Sequence, residues 1–198
     1  MDEFVSAGPH MPIVFAPGQD VPSACFLVGL RNGRNALVDE TGRWLGDHVP
    51  AYVRRYPLMM GEVEGRDPIV CIDQTYVSPH EGDLLFASDG AESQRLKEHI
   101  SLLSNYYHSA QRSQTFCKAL VALDLLRSVT IEARWDSGER LALHGYFAVA
   151  ADRLQALSDE QFIELRQNGF LEPIYAHMHS LASVERIRRH AWARRHAL

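Results

Sequence analysis

SVTIEARWDSGERLALHGYFAV, residues 128–149, is the stretch that decides the fold class. Apolar and polar side chains alternate in its first half, and the turn sequence Asp136-Ser137-Gly138 separates that half from a second β-rich run. A period of two is typical of a strand with one buried face, because successive side chains point to opposite faces. The stretch therefore predicts an antiparallel hairpin. Its inner face is expected to carry Leu141, Leu143, Phe147 and Val149, and its outer face His144 and Tyr146.

Shorter β-rich runs precede this hairpin. SACFLVGL and NALVD flank Asn32-Gly33, which is the strongest short hairpin signal. A turn sequence at 39–44 predicts a further strand at Arg43–Leu45. The other predicted strands are PIVFA, LMMGEV and PIVCID.

Helices are predicted in the rest of the chain. Residues 91–126 contain no Pro or Gly and repeat apolar residues at steps of three and four, which indicates two helices or one bent helix. Ser158 and Gln161 form a capping-box pattern, Asn168-Gly169 predicts a helix end, and Pro173 suits the first turn of a C-terminal helix. The pattern predicts an α+β fold, with helices packed on a largely antiparallel sheet and a C-terminal helical segment. We expect one domain over residues 1–198, with a short N-terminal tail at 1–10 and a basic tail at 186–198.

Composition favours a cytoplasmic protein. The 198 residues are 46% hydrophobic and 23% charged, as in an ordinary globular domain. No apolar run is long enough to span a membrane, and the acidic N-terminus shows no secretory signal. Cys25, Cys71 and Cys117 are far apart and odd in number, so a disulfide framework or cysteine zinc site is not expected.

The net charge of −5 is unevenly distributed. The segment from Glu185 to the end has one acid and five arginines, a net charge of +4: Arg186, Arg188, Arg189, Arg194 and Arg195. Subtracting this +4 from the total of −5 leaves −9 for residues 1–184. Such a tail can contact nucleic acid or an acidic partner. Because the rest of the chain would repel phosphates, we expect solvent-facing arginines near a helix C-terminus instead.

The pair His177 and His179 raises the question of a metal site. If this segment is helical, the two side chains lie about 200° apart around the axis, whereas helical metal pairs need a spacing of three or four residues. One histidine is expected to pack inward among Ile174, Met178 and Leu181, and the other to face solvent. We therefore predict no metal site here and no cofactor.

Arg54-Arg55-Tyr56 is the best candidate for binding. Two adjacent arginines after a short turn can hold a carboxylate or phosphate. The alternative is a structural salt bridge to an acid such as Asp39, Glu40 or Asp73.

Over about residues 11–188 the sequence resembles the SapC family of bacterial proteins. The resemblance is carried by NALVDETGRWLGDHVPAYVRRYP, PIVCID, DLLFASDG, QTFCKALVALDLL and ALSDEQFIELRQNGFLEPIYAHMHSL. The positions that match the family's motifs are Trp44, Pro50, Arg54, Arg55, Tyr56, Pro57, Cys71, Asp73, Phe86, Tyr175, His177 and Ser180. Position 179 departs from the pattern, because an apolar residue is expected there.

The resemblance implies a link to surface-array (S-layer) systems and an accessory role in uptake or modification, with no catalytic residues to carry over. Our first hypothesis is a non-catalytic, cytoplasmic, self-associating accessory protein. It would bind a small anionic ligand or a protein partner through Arg54, Arg55, Tyr56 and Trp44.

Two alternatives stay open. The protein could be an enzyme in which folding gathers His144, His177, Tyr175 and Asp73 into an acid/base or mononuclear metal site. It could also be a surface component, which requires an export route without an N-terminal signal.

Overall fold

The computed structural model of the protein describes residues 1–78 and 80–193. Pro79 and residues 194–198, with Arg194 and Arg195 of the predicted basic tail, lie outside the described residues. The chain divides into two compact units: unit 1 comprises residues 1–48 and 112–198, and unit 2 comprises residues 49–111. Each unit contains antiparallel strands and helical backbone, so the α+β prediction is confirmed.

Most of the elements lie where the sequence patterns predict them. The strands are β1 Ile13–Ala16, β2 Ser23–Phe26, β3 Leu58–Gly61, β4 Ile69–Ile72, β5 Leu126–Arg134 and β6 Arg140–Val149. The helices are α1 Phe4–Ala7, α2 Ala51–Arg54, α3 Gln94–Ala122, α4 Ala151–Gln155, α5 Asp159–Gln167, α6 Leu171–Ser180 and α7 Val184–Ala193. Short 3₁₀ turns lie at Gln74–Tyr76 and Leu181–Ser183. Residues 91–126, for which two helices or one bent helix were predicted, thus contain one continuous helix, α3. The predicted C-terminal helix is interrupted by a 3₁₀ turn between α6 and α7.

A four-stranded antiparallel sheet in the order β2–β1–β6–β5 forms the centre of unit 1. The hairpin of β5 and β6 is confirmed, but its faces differ from the simple alternation. The pairing shifts between Val129 and Ile131, and Gly145 has a φ of +85°, so β6 carries a bulge there. Because the extra residue reverses the alternation, Leu141, Leu143 and Tyr146 pack on one core cluster, while Phe147 and Val149 pack on another. The expectation that Tyr146 lies opposite the leucines was wrong.

Helices bury the two core clusters of unit 1. The first gathers Phe15, Phe116, Leu120 and Ile174 from β1, α3 and α6. The second includes Met11, Leu37 and Trp135, together with Ile187 of α7. Phe4 and Ala7 are also buried, so residues expected as an N-terminal tail contribute to the core. Ser158 and Gln161 form the predicted capping box of α5, and Gly169 follows its end with a φ of +70°.

The two predicted strands after Gly33 do not form. The turn itself is present, since Arg34 N–H donates to Arg31 O. However, the Asn35 side chain accepts a hydrogen bond from Leu37 N–H, and the Asp39 carboxylate accepts from Thr41 and Arg43 N–H. These local bonds compete with a strand ladder, so this segment forms only isolated bridges.

Unit 2 is smaller. β3 and β4 pair in a two-stranded antiparallel sheet, in register from Leu58 with Ile72 to Gly61 with Ile69. Leu58 packs with Leu96 and Leu103 of α3 in the core cluster of this unit.

Candidate functional site

The Arg54-Arg55-Tyr56 segment lies in unit 2, where α2 leads into β3. Pro50 precedes α2, as its fixed φ favours, and the Tyr56–Pro57 peptide bond is cis. Tyr52 lies on α2, and Tyr56 follows its C-cap Arg55. Arg54 is exposed, and its Nε donates to Val49 O at 2.9 Å.

Arg55 is held by its surroundings rather than presented to solvent. Its Nη1 donates to Leu58 O at 3.0 Å, so it ties the end of α2 to the start of β3. Its guanidinium carbon lies 4.6 Å from the ring centre of Tyr52 and 5.1 Å from that of Tyr106, within the range of cation–π attraction. Its Nε is buried without a hydrogen-bond partner in the described part of the chain. The two arginines of the predicted anion-binding pair therefore have different environments. Arg54 is exposed, whereas Arg55 packs against the rings of Tyr52 and Tyr106.

Tyr56 and Asp73 form the strongest polar contact of this region. The Tyr56 hydroxyl donates to Asp73 Oδ2 at 2.6 Å, and Thr75 donates its N–H and hydroxyl to Asp73 Oδ1. The hydrogen bond to Asp73 raises the pKa of Tyr56 to about 12, and the same bonds lower the pKa of Asp73. The pair therefore consists of a neutral phenol and an ionised carboxylate at neutral pH. The Tyr76 ring meets the Tyr56 ring edge-on, with centres 4.8 Å apart.

Large hydrophobic side chains are unusually exposed in unit 2. Among the described residues, seventeen such side chains are exposed, and eleven of them lie in residues 49–111. Tyr52 is 61% exposed and Tyr76 is 66% exposed. The eleven are Tyr52, Val53, Tyr56, Met59, Val63, Ile69, Val70, Tyr76, Val77, Leu84 and Phe86. We call Tyr52, Tyr56 and Tyr76, with Arg54, the tyrosine surface.

His177 in unit 1 holds strands together. It is fully buried on α6. Its Nε2 accepts a hydrogen bond from Val149 N–H at 3.0 Å, so its Nδ1 carries the proton and donates to Ile13 O at 2.9 Å. The ring thus links β1 to the end of β6, and burial lowers its pKa to about 4. Ser180 completes the link, because its Oγ accepts from Ile13 N–H at 2.8 Å and donates to His177 O.

The two histidines of the His-x-His pair separate as expected. His179 is exposed, whereas both ring nitrogens of His177 are bonded to main chain. In residues 1–78 and 80–193, no three His, Cys, Asp or Glu side chains are grouped to hold a metal ion. Nor does any helix of that part combine the length and apolar character of a membrane span.

The other predicted residues of unit 1 have separate environments. Tyr175 is exposed on α6. His144 is exposed beside the bulge and shares a hydrogen bond with Thr130 Oγ1, 3.1 Å from its Nδ1. Trp44 is half-buried and packs against the second core cluster. Asp73 belongs to unit 2, with the partners described above.

Sequence reasoning missed Tyr52 and Tyr76. The available signal was their position, since Tyr52 stands two residues before the arginine pair and Tyr76 follows the Asp73 turn.

Comparison with known proteins identifies the family but not an activity. No curated protein and no solved structure matches the chain. The model of the SapC family matches residues 1–187 of the 198 residues. The chain therefore belongs to the SapC family.

Proposed function

We propose that the protein is a non-catalytic accessory protein that recognises a protein partner through the tyrosine surface of unit 2. The observation that carries this proposal is the concentration of exposed apolar and aromatic side chains in that unit. Exposed apolar groups of this kind mark interaction sites, because leaving them in water costs free energy that a partner recovers.

The chemistry of the surface suits recognition. Tyrosine and arginine are, together with tryptophan, the residues most enriched among those that dominate binding energy at interfaces. Tyr56 is fixed by Asp73, and Tyr52 lies against Arg55, so little side-chain freedom remains to be lost on binding. Arg54 adds an exposed cation, which favours a partner with an acidic or carbonyl-rich contact region.

The ionisation states of the candidate catalytic groups also favour binding over catalysis. An efficient acid or base has a pKa near the working pH. Two of the four candidate catalytic residues are His177, whose pKa is lowered to about 4, and Asp73, which stays ionised; Tyr56, the ligand-binding candidate bonded to Asp73, has its pKa raised to about 12. These shifts do not suit proton transfer near neutrality.

Location and self-association are part of the proposal. Cys25, Cys71 and Cys117 are unpaired thiols, which supports a reducing cytoplasm. A second copy of the chain is one partner that the tyrosine surface can accept.

The test is co-purification of tagged protein from its host, read by native mass spectrometry. The test variant is Tyr52→Ala/Tyr76→Ala, and the matched control is Phe162→Ala/Ile163→Ala, which removes exposed apolar groups from α5 of unit 1. We expect a partner or second copy with wild type and control, lost with the tyrosine variant. A partner retained equally by the tyrosine variant, or none with wild type, contradicts the proposal.

A further inference from the structure

A second candidate for binding is a pocket of unit 1, whose lining shares no residue with the tyrosine surface. It is an open pocket of about 540 Å³ between residues 26–35 and strand β6, in the size range of small-molecule sites. Leu143, His144 and Tyr146 supply the wall from β6. This wall contains the bulge of β6, because Gly145, with its positive φ, lies between His144 and Tyr146.

The opposite wall is a turn with a fixed backbone. Arg34 N–H donates to Arg31 O at 3.1 Å, and Ala36 N–H donates to Val28 O at 2.8 Å. Gly33 takes a φ of +69°, which glycine adopts without strain. Gly29 allows the carbonyl of Arg34 to approach closely, since a Cβ at Gly29 would lie 1.9 Å from that oxygen. These contacts fix the backbone of the turn at Arg31 and Arg34, the residues at its two ends.

The charge of the lining is positive. Arg31 and Arg34 line the pocket, and none of its lining residues is an Asp or Glu. Arg31 pairs with Glu139 at 2.6 Å. Arg34 is exposed and has no ion-pair partner within the described chain, so its guanidinium retains its charge-assisted donors for a ligand.

The lining also includes apolar side chains, besides the polar Asn32 and Asn35. Phe26, Val28 and Leu143 line the pocket beside the arginines and are half-buried against the core. A ligand that combines one acidic group with an apolar body matches both the arginines and the apolar side chains. We infer that the pocket binds a small organic anion, with a carboxylate or phosphate held by Arg34 and an apolar group against Phe26 and Leu143.

The test uses ligand-observed NMR and calorimetry with three probes that share a phenyl ring: the anions benzoate and phenyl phosphate, and the neutral benzyl alcohol. The variants are Arg34→Ala and the matched control Arg66→Ala, an exposed arginine of the β3–β4 turn. Thermal melts of both variants establish that they fold.

We expect the wild type and Arg66→Ala to bind at least one anionic probe, and Arg34→Ala to bind it about tenfold more weakly. Preference for phenyl phosphate assigns a phosphate ligand, and preference for benzoate assigns a carboxylate. Equal binding of benzyl alcohol, unchanged affinity of Arg34→Ala, or no binding of either anion by the wild type would overturn the inference.

Discussion

Acid is expected to weaken unit 1 through His177. Burial lowers the pKa of this ring from 6.5 to about 4, and its neutral form makes both hydrogen bonds to β1 and β6. In the unfolded chain a histidine binds a proton near pH 6.5. Between these pKa values the unfolded state binds more protons than the folded state, so the free energy of unfolding falls as pH falls. The contribution of His177 is complete above pH 6.5 and is lost as the pH approaches 4.

The size of the effect follows from the shift in pKa. A lowering from 6.5 to about 4 corresponds to about 3 kcal/mol of stability, at roughly 1.4 kcal/mol for each pKa unit. Glu185 has a pKa lowered to about 2 by its hydrogen bonds to Arg188, so its own contribution is lost at more acidic pH. The interval from pH 7.5 to 5 therefore avoids the contribution of Glu185. Comparison with a His177 variant separates the His177 contribution from that of the Met1 α-amino group, whose pKa is lowered from 8.0 by burial.

Urea denaturation of the wild type and His177→Gln at pH 7.5, 6.5, 5.5 and 5.0 measures this term. The variant should be less stable at pH 7.5, and the difference should shrink as pH falls, because only the wild type carries the histidine term. A constant difference at every pH would refute the reasoning. If His177→Gln does not fold, NMR titration of the wild type decides: we expect the His177 ring signals to be unchanged down to pH 5, and a midpoint near 6.5 contradicts the account.

Three further changes test the contacts around these sites. Ser180→Ala leaves Ile13 N–H buried without its acceptor, so calorimetry should show a loss of about 1–3 kcal/mol, against about 0.5 kcal/mol or less for the exposed Ser101→Ala. Arg55→Met removes the hydrogen bond to Leu58 O and the contacts with two tyrosine rings. Urea denaturation should therefore show a loss of roughly 1–3 kcal/mol in the free energy of unfolding, and a stability equal to that of Arg66→Met contradicts this role of Arg55. Gly29→Ala places a methyl group 1.9 Å from Arg34 O, so the melting temperature should fall; an unchanged melt would show that the turn yields easily.

Local sequence patterns predicted most of the elements. Each of these patterns acts over a few residues, and the structure contains the element that each predicts. They are the alternation in residues 128–135, the capping box at Ser158 and the Pro- and Gly-free run that contains α3. The failures arose where side chains compete with the backbone. Asn35 and Asp39 capture main-chain N–H groups, and Gly145 admits a bulge that reverses the faces of β6. A glycine inside a strand pattern was the signal for that bulge.

The candidate site was harder to predict because it depends on distant contacts. The sequence predicted that one of His177 and His179 packs inward but not which one, and the bonds of His177 to Ile13 and Val149 join residues far apart in the chain. Similarly, residue type alone does not show that Arg55 lies against two tyrosine rings or that Tyr76 is exposed. The expectation that residues 1–198 act as a single SapC-like domain stays a prediction.

Hydrogen–deuterium exchange of the protein with its co-purified partner tests the central claim most directly. Recognition through the tyrosine surface predicts slower exchange in peptides that contain Tyr52, Tyr56 and Tyr76 when the partner is bound, and unchanged exchange in α5 of unit 1. Protection confined to unit 1, with residues 49–111 exchanging as in the isolated protein, would contradict it.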